Sequence, residues 1–191
     1  MKQRDMTLPR RVTYEDYCHF PDDGKRYEVL EGEVYMTPAP APRHQFTSKR
    51  LQRILERHFE GRLGCLVFNA PIDVILAADD VVQPDLVVVS DGPQISARGI
   101  EGAPIVIVEI LSPSRPEFDR STKARRYAAR GVPHYWIVDP DARTIECFRL
   151  DGLTYRLDAS GRDPDEVVVP AFDGLTLPLT DLWLADGSKR T

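Results

Sequence analysis

The sequence predicts an α/β or α+β sandwich in which a mixed sheet is flanked by helices. Three observations carry that expectation. Strand-like and helical stretches alternate in the order α-β-β-α-β-β-β-α-β-β-β. The run Ile105 to Leu111 is continuous, apolar and β-branched, as in a strand covered on both faces. Two basic segments, about His44 to Phe59 and Asp119 to Arg130, read as helices, and Gly131 and Pro133 end the second.

Taken in order, Thr13 opens a short helix with Asp16 at the capping-box position and Tyr14, Tyr17 and Phe20 available for packing. Pro21-Asp22-Asp23-Gly24 breaks it. Strands follow at Tyr27 to Leu30 and Glu33 to Tyr35, with Glu31-Gly32 at the bend. Pro38, Pro40 and Pro42 alternate with alanine, which makes a stiff extended linker. The first long helix carries an apolar stripe of Leu51, Ile54, Leu55 and Phe59, and Gly61 and Gly64 close it. Cys65 to Phe68 and Ile72 to Leu76 are strand-like, and Val81 to Val89 is a further apolar run carrying one carboxylate, Asp85. Beyond the central strand and second helix, His134 to Val138 is strand-like. Thr144 to Leu150 and Leu153 to Leu157 flank Asp151-Gly152 as a hairpin. Glu166 to Val169 adds an edge strand, and Leu182-Trp183-Leu184 packs back on the core. No repeat or domain linker interrupts the chain, so a single domain is expected over 1–191, its core at about 13–184.

At 191 residues, with 42% hydrophobic and 29% charged side chains, the composition is that of an ordinary globular protein with a substantial core. Cys18, Cys65 and Cys147 are scattered and without metal-ligand spacing, which argues against a disulfide framework or a zinc site. With no apolar run of membrane length and a polar start, the expected location is the cytoplasm. Net charge is −5, but its distribution is polarised. Arg43 to Arg62 and Arg115 to Arg130 each hold six basic residues, while residues 151–191 hold eight acidic ones against four basic. Basic helices of this kind suit a phosphate-facing side or a solvated face.

The chemistry centres on Asp85 and Glu109, each a lone carboxylate in an apolar run, 24 residues apart. Neighbouring strands can bring such a pair together, and their repulsion then calls for a cation. Oxygen ligands suit Mg²⁺ or Mn²⁺. Two strand-end carboxylates capping turns or pairing with arginines would give the same pattern. Lys123, four residues after Asp119, either pairs with it along the helix or reaches a metal edge to steer water or offset charge on phosphorus. Tyr127 continues that face, as a phosphate donor or a packing tyrosine. Ser112 and Ser114 can cap the next helix or touch phosphate. Glu33 is a third carboxylate that can join a metal shell or lie exposed, and His44 is a ligand, shuttle, phosphate contact or surface histidine. No G-x-S-x-G, G-x-G-x-x-G or P-loop pattern occurs, so a nucleophile elbow and nucleotide cofactors find no support.

Five motifs in sequence resemble a known family: R-Y-E-V-L-E-G-E-V with T-P-A-P-A-P-R-H, Q-P-D-L-V-V-V, I-V-E-I-L-S-P-S, D-R-S-T-K, and G-V-P-H-Y-W-I-V-D-P, followed by F-D-G-L-T-L-P-L. They resemble the PD-(D/E)XK restriction-endonuclease-like superfamily, in its Uma-two branch of small endonucleases, over about Thr13 to Trp183. The resemblance implies a restriction-endonuclease-like core, a Mg²⁺- or Mn²⁺-dependent endonuclease acting on DNA, and a homodimer. It implies Asp85 and Glu109 as metal carboxylates, with the main-chain carbonyl of Ile110 as a third ligand. The standard motif has lysine two positions after the glutamate; this chain has Leu111 there, which makes Lys123 the candidate amine. Glu33 would match the glutamate some members bring from an early element. A binding module that kept the fold and lost turnover is the alternative.

Overall fold

A computed structural model describes residues 11–37, 39–60, 64–113 and 116–185, and among these residues four helical segments, two six-stranded sheets and a two-stranded ribbon build the fold. The readings at Pro38, Gly61, Arg62, Ser114 and Arg115 and in the polar start lie outside the described residues.

The chain opens with α1 (Tyr14–Tyr17), whose Thr13 hydroxyl and Asp16 carboxylate form the expected reciprocal capping box. The hairpin of β1 (Arg26–Leu30) and β2 (Glu33–Thr37) turns at Glu31 and Gly32. Both turn residues have positive φ, 54° and 77°, the geometry a two-residue primed turn needs. Helix α2 (Pro42–Phe59) begins two residues before the sequence pattern suggests, because Pro42 fits the first turn, where no N–H partner is required.

β3 (Cys65–Asn69), β4 (Val74–Ala77), β5 (Asp80–Val82) and β6 (Leu86–Ser90) follow. The apolar run Val81 to Val89 is thus two strands, in different sheets. Pro84 has no N–H for a ladder, so the chain leaves one sheet at Val82 and joins the other at Leu86, with Asp85 in the crossing. Short β7 (Ile95–Ser96) and β8 (Gly99–Glu101) precede the central β9 (Val106–Ile110).

The second basic helix is not a plain α-helix. Phe118–Lys123 is a π-helical turn, and α3 (Ala124–Ala129) continues from it. Its end is as expected: Gly131, at φ 74°, donates to Ala128 and buried Val132 donates to Tyr127, a Schellman closure. β10 (His134–Asp139), β11 (Thr144–Asp151) and β12 (Thr154–Arg162) complete the large sheet. The hairpin loop is Gly152-Leu153, since Asp151 pairs with Thr154. β13 (Glu166–Val168) pairs with β14 (Thr176–Pro178) in a separate ribbon rather than on the sheet edge.

Sheet 1 has the order β2-β1-β5-β4-β8-β7 and sheet 2 the order β12-β11-β10-β9-β6-β3. Both are mixed: β4–β8 and β9–β10 are parallel and the remaining pairs antiparallel. Two apolar layers result. One lies under α2, where Leu51, Leu55 and Phe59 meet Val88, Val106, Val108, Trp136, the β13–β14 ribbon and Leu182. The other lies between the sheets, joining Leu30, Val74, Val82 and Ile100 to Val87, Val89, Ile107 and Ile137, with Tyr127 of α3. Residues of α1 cover the outer face of sheet 1 at Val29 and Val81. Among the described residues, no helix is long and apolar enough to cross a membrane.

Candidate active site

Strand parity aims the polar groups at one place. On β9, Val106, Val108 and Ile110 face the layer under α2, while Ile107 faces the layer between the sheets. Glu109 shares the parity of Ile107, so its carboxylate enters the inter-sheet layer. Glu28 has the parity of Leu30, and Asp85 that of Val87 and Val89, so both are directed to the same layer. From the far side, the turn into α3 brings Asp119 and Lys123, and α3 itself brings Tyr127.

These groups meet. Lys123 Nζ lies 3.0 Å from Glu109 Oε1, 3.1 Å from Glu28 Oε1 and 3.7 Å from Asp119 Oδ1. Tyr127 donates its hydroxyl to Glu109 Oε1 at 2.6 Å. Glu28 is held by the Gln83 N–H at 2.9 Å and the Thr37 hydroxyl at 3.2 Å. Asp85 Oδ2 accepts the Ile110 N–H at 2.8 Å and lies 3.1 Å from His44 Nε2. Glu28, Asp85, Glu109 and Lys123 are all at most 5% exposed. Above them opens a cleft of about 70 Å³, with Arg26, Tyr35, Pro40, His44, Ser112 and Phe118 among its lining residues. That is room for a few waters or a small cation.

The electrostatics are lopsided. One ammonium faces Glu28, Glu109 and Asp119, and Asp85 shares the cleft. Burial drives the Glu109 carboxyl well above the usual carboxylate range; Lys123 opposes this, while Asp119, Asp85 and Glu28 reinforce it. Burial likewise pushes Asp119 up to about 6, against Lys123 and with help from Glu28 and Asp85. For Lys123, burial alone would favour the neutral amine, but Glu109, Glu28 and Asp119 outweigh it and hold the group protonated.

Among the described residues, no three His, Cys, Asp or Glu side chains form a metal-ligating cluster. The oxygens that could hold a cation are those of Asp85, Glu109 and the Ile110 carbonyl. Only Oδ2 of Asp85 and Oε1 of Glu109 take hydrogen bonds among the described residues. The Leu86↔Val108 register, continued by two residues, sets Ile110 opposite Pro84, which has no N–H to offer. A strand residue's N–H and C=O share an edge, and the Ile110 N–H goes to Asp85, so its carbonyl also points toward that side. An all-oxygen set of one or two carboxylates plus a carbonyl fits Mg²⁺ or Mn²⁺, which retain waters and accept phosphate oxygens, and the surplus negative charge favours such an ion.

Of the residues singled out in the sequence, Asp85, Glu109, Ile110, Lys123, Asp119, Tyr127, His44 and Ser112 converge here. Glu33 does not. It stands exposed where the hairpin enters β2 and accepts from the Tyr35 hydroxyl at 2.9 Å. The carboxylate that the early hairpin delivers is Glu28, which sequence reasoning missed. Its signal is present: in R-Y-E-V-L both Val29 and Leu30 are apolar, so each face of the strand is covered, and Glu28 must share one.

The comparisons with known proteins speak to the family and the fold. A sequence family described as "Putative restriction endonuclease", Uma2, matches residues 13–180. The "Uncharacterized protein slr1290" of Synechocystis sp. is 26% identical over 159 residues, covering 80% of this chain and 83% of that protein. The crystal structure of "a putative nuclease belonging to DUF820" from Anabaena variabilis superposes with a TM-score of 0.72 at 20% identity, over 90% of this chain and 97% of that one. At that identity the match speaks for the fold. With the family match spanning most of its length, the chain belongs to the Uma2 family.

Proposed function

We propose that the protein is a divalent-metal-dependent nuclease that hydrolyses phosphodiester bonds in DNA. The observation that carries this reading is the convergence of Glu109, Glu28 and Asp119 on the buried Lys123, with Asp85 beside them in the same open cleft. Asp85, Glu109 and the Ile110 carbonyl would hold Mg²⁺ or Mn²⁺. When bound, the ion supplies Lewis-acid polarisation of the phosphate and a lowered pKa for water.

The chain's own residues then do the following. Lys123 stays an ammonium, since three carboxylates hold its proton. It therefore stabilises negative charge growing on the phosphate oxygens and is unsuited to act as a base. Glu28 and the Tyr127 hydroxyl fix the positions of Lys123 and Glu109. His44, at the cleft mouth, orients Asp85 through Oδ2. Asp119, near pKa 6, is placed to exchange a proton at the cleft. A C2 homodimer, which would present one site to each strand of a duplex, belongs to the same proposal.

The test is plasmid nicking in Mg²⁺ or Mn²⁺ by wild type, Glu109→Ala and Lys123→Ala. The expected result is metal-dependent nicking that falls by about 10²-fold or more in both variants. Nicking unchanged in both would contradict the proposal. A second reading, a nucleic-acid-binding module without turnover, is favoured by one observation: Lys123 pairs directly with both Glu28 and Glu109 and so offsets part of their charge. Metal-independent binding without cleavage would decide for it.

A further inference from the structure

A second groove continues from the cleft across one face of α2. Arg26, Pro40, His44 and Asp85 line both. Beyond them the groove runs along Gln45, Ser48, Lys49 and Gln52, spaced i, i+3, i+4 and i+7 on α2, to Asn69 at the end of β3. Its volume is about 330 Å³.

Its charge is opposite in character to the cleft's. Among the described residues, the only carboxylate lining it is Asp85, at the shared wall. Arg26 stands on that wall with its Nε buried and without a hydrogen-bond partner. Lys49 is exposed and makes no ion pair among the described residues. Most other arginines close to the site are committed: Arg120 to Glu146, Arg126 and Arg130 to Asp80. Two cations without an ion-pair partner among the described residues, at one polar groove flanked by neutral amides and a hydroxyl, suit a polyanion better than a peptide or an apolar ligand.

We propose that this groove binds the sugar–phosphate backbone of the nucleic-acid strand beside the bond that is cut, with Arg26 and Lys49 gripping flanking phosphates. Gln45, Ser48 and Gln52 would contact sugar or base edges from the same helix face. The assignment deepens the nuclease reading and rests on it only for what happens at the neighbouring phosphate. The strand would leave the cleft over the first half of α2.

The test is fluorescence anisotropy of a 5′-fluorescein-labelled single-stranded DNA oligonucleotide and the RNA of the same sequence. It is run in EDTA so that nothing is cut, across a series of salt concentrations. Wild type, Arg26→Gln, Lys49→Gln and, on the far hairpin, Arg156→Gln are compared. Arg26→Gln and Lys49→Gln are each expected to weaken binding and to flatten the slope of log K against log salt by about 0.7, the loss of one phosphate contact. Arg156→Gln should change neither. A DNA oligonucleotide that responds while RNA does not, or the reverse, names the source of the phosphodiester and supports the groove equally. Absent binding, wild-type slopes in both groove variants, or an equal effect of Arg156→Gln would overturn it. If wild type binds through Arg26 and Lys49 yet never nicks plasmid in Mn²⁺, the nuclease reading falls and the groove stands. If wild type nicks plasmid while both groove variants bind as it does, the groove falls and the nuclease reading stands.

Discussion

The π-helical turn and α3 together present two ion clusters, one at Lys123 and one at Arg126 and Arg130, and they are built on different principles. At Arg126 and Arg130 every carboxylate has its guanidinium partners. Asp80, fully buried, accepts from the Nε of both arginines, Arg130 also reaches Asp79 at 2.8 Å, and Arg126 reaches Glu31 at 3.0 Å. Arg11 and Arg125 pair more loosely with Asp79 and Glu31. Three carboxylates thus meet four guanidiniums, and no outside ion is called for. At Lys123, one ammonium meets three carboxylates, with a fourth in the same cleft. The first cluster docks the helix on sheet 1; the second leaves negative charge unmatched, which is the condition for holding a cation.

The contrast can be broken by experiment. The largest effect is expected at Asp80. Asp80→Ala leaves two arginines facing each other without their shared partner, and urea denaturation should show a loss of about 3–5 kcal/mol. Added Mn²⁺ should not restore it. Lys123→Met comes next, at about 2–3 kcal/mol in EDTA, because Glu28 and Glu109 lose their common cation. Here millimolar Mn²⁺ should recover much of the loss. If Mn²⁺ rescued Asp80→Ala instead, the assignment of the two clusters would be reversed.

A smaller effect concerns pH. The Asp119 carboxyl is raised from its ordinary value to about 6 in the folded protein, so between about pH 4 and 6 the folded state binds this proton and the unfolded state releases it. Its contribution to stability is therefore present at low pH and lost as pH rises through about 6. Glu109, also raised, adds in the same direction. Asp119→Asn should flatten the fall in stability between pH 4 and pH 7 by on the order of 2 kcal/mol, read from urea midpoints at each pH. An unchanged slope would show that Asp119 titrates normally. Smallest is Tyr127→Phe, which removes one hydrogen bond to Glu109 and should cost about 1–2 kcal/mol without changing the fold by circular dichroism.

Most of the site was legible because it breaks a pattern. A glutamate inside a β-branched run, and a lysine and tyrosine four apart on the next helix, are exceptions to what those segments otherwise say, and all three meet. Glu28 was passed over because R-Y-E-V-L opens like a half-exposed strand, and only the adjacent apolar pair Val29-Leu30 marks both of its faces as covered. Sheet 1 was under-read for a related reason. β7 and β8 have two and three residues, too few for periodicity to register, and their pairing is set by the sheet they join. The π-helical turn before α3 has no compositional mark either. It belongs to tertiary context, in which the buried Tyr135 donates its hydroxyl to the Asp119 carbonyl at 3.0 Å. Pro84 marks where the run Val81 to Val89 divides between the two sheets, a signal that reading the run as one continuous stretch passed over.

The surplus of carboxylates in the cleft is most directly tested by titrating Mn²⁺ into metal-free protein in a calorimeter, with wild type and Asp85→Asn side by side at pH 7.5. Saturable binding in wild type, accompanied by proton release and abolished or weakened at least tenfold in Asp85→Asn, is the expected result. No binding in wild type, or equal binding in the variant, would mean that Lys123 alone settles the charge and that the cleft holds no ion.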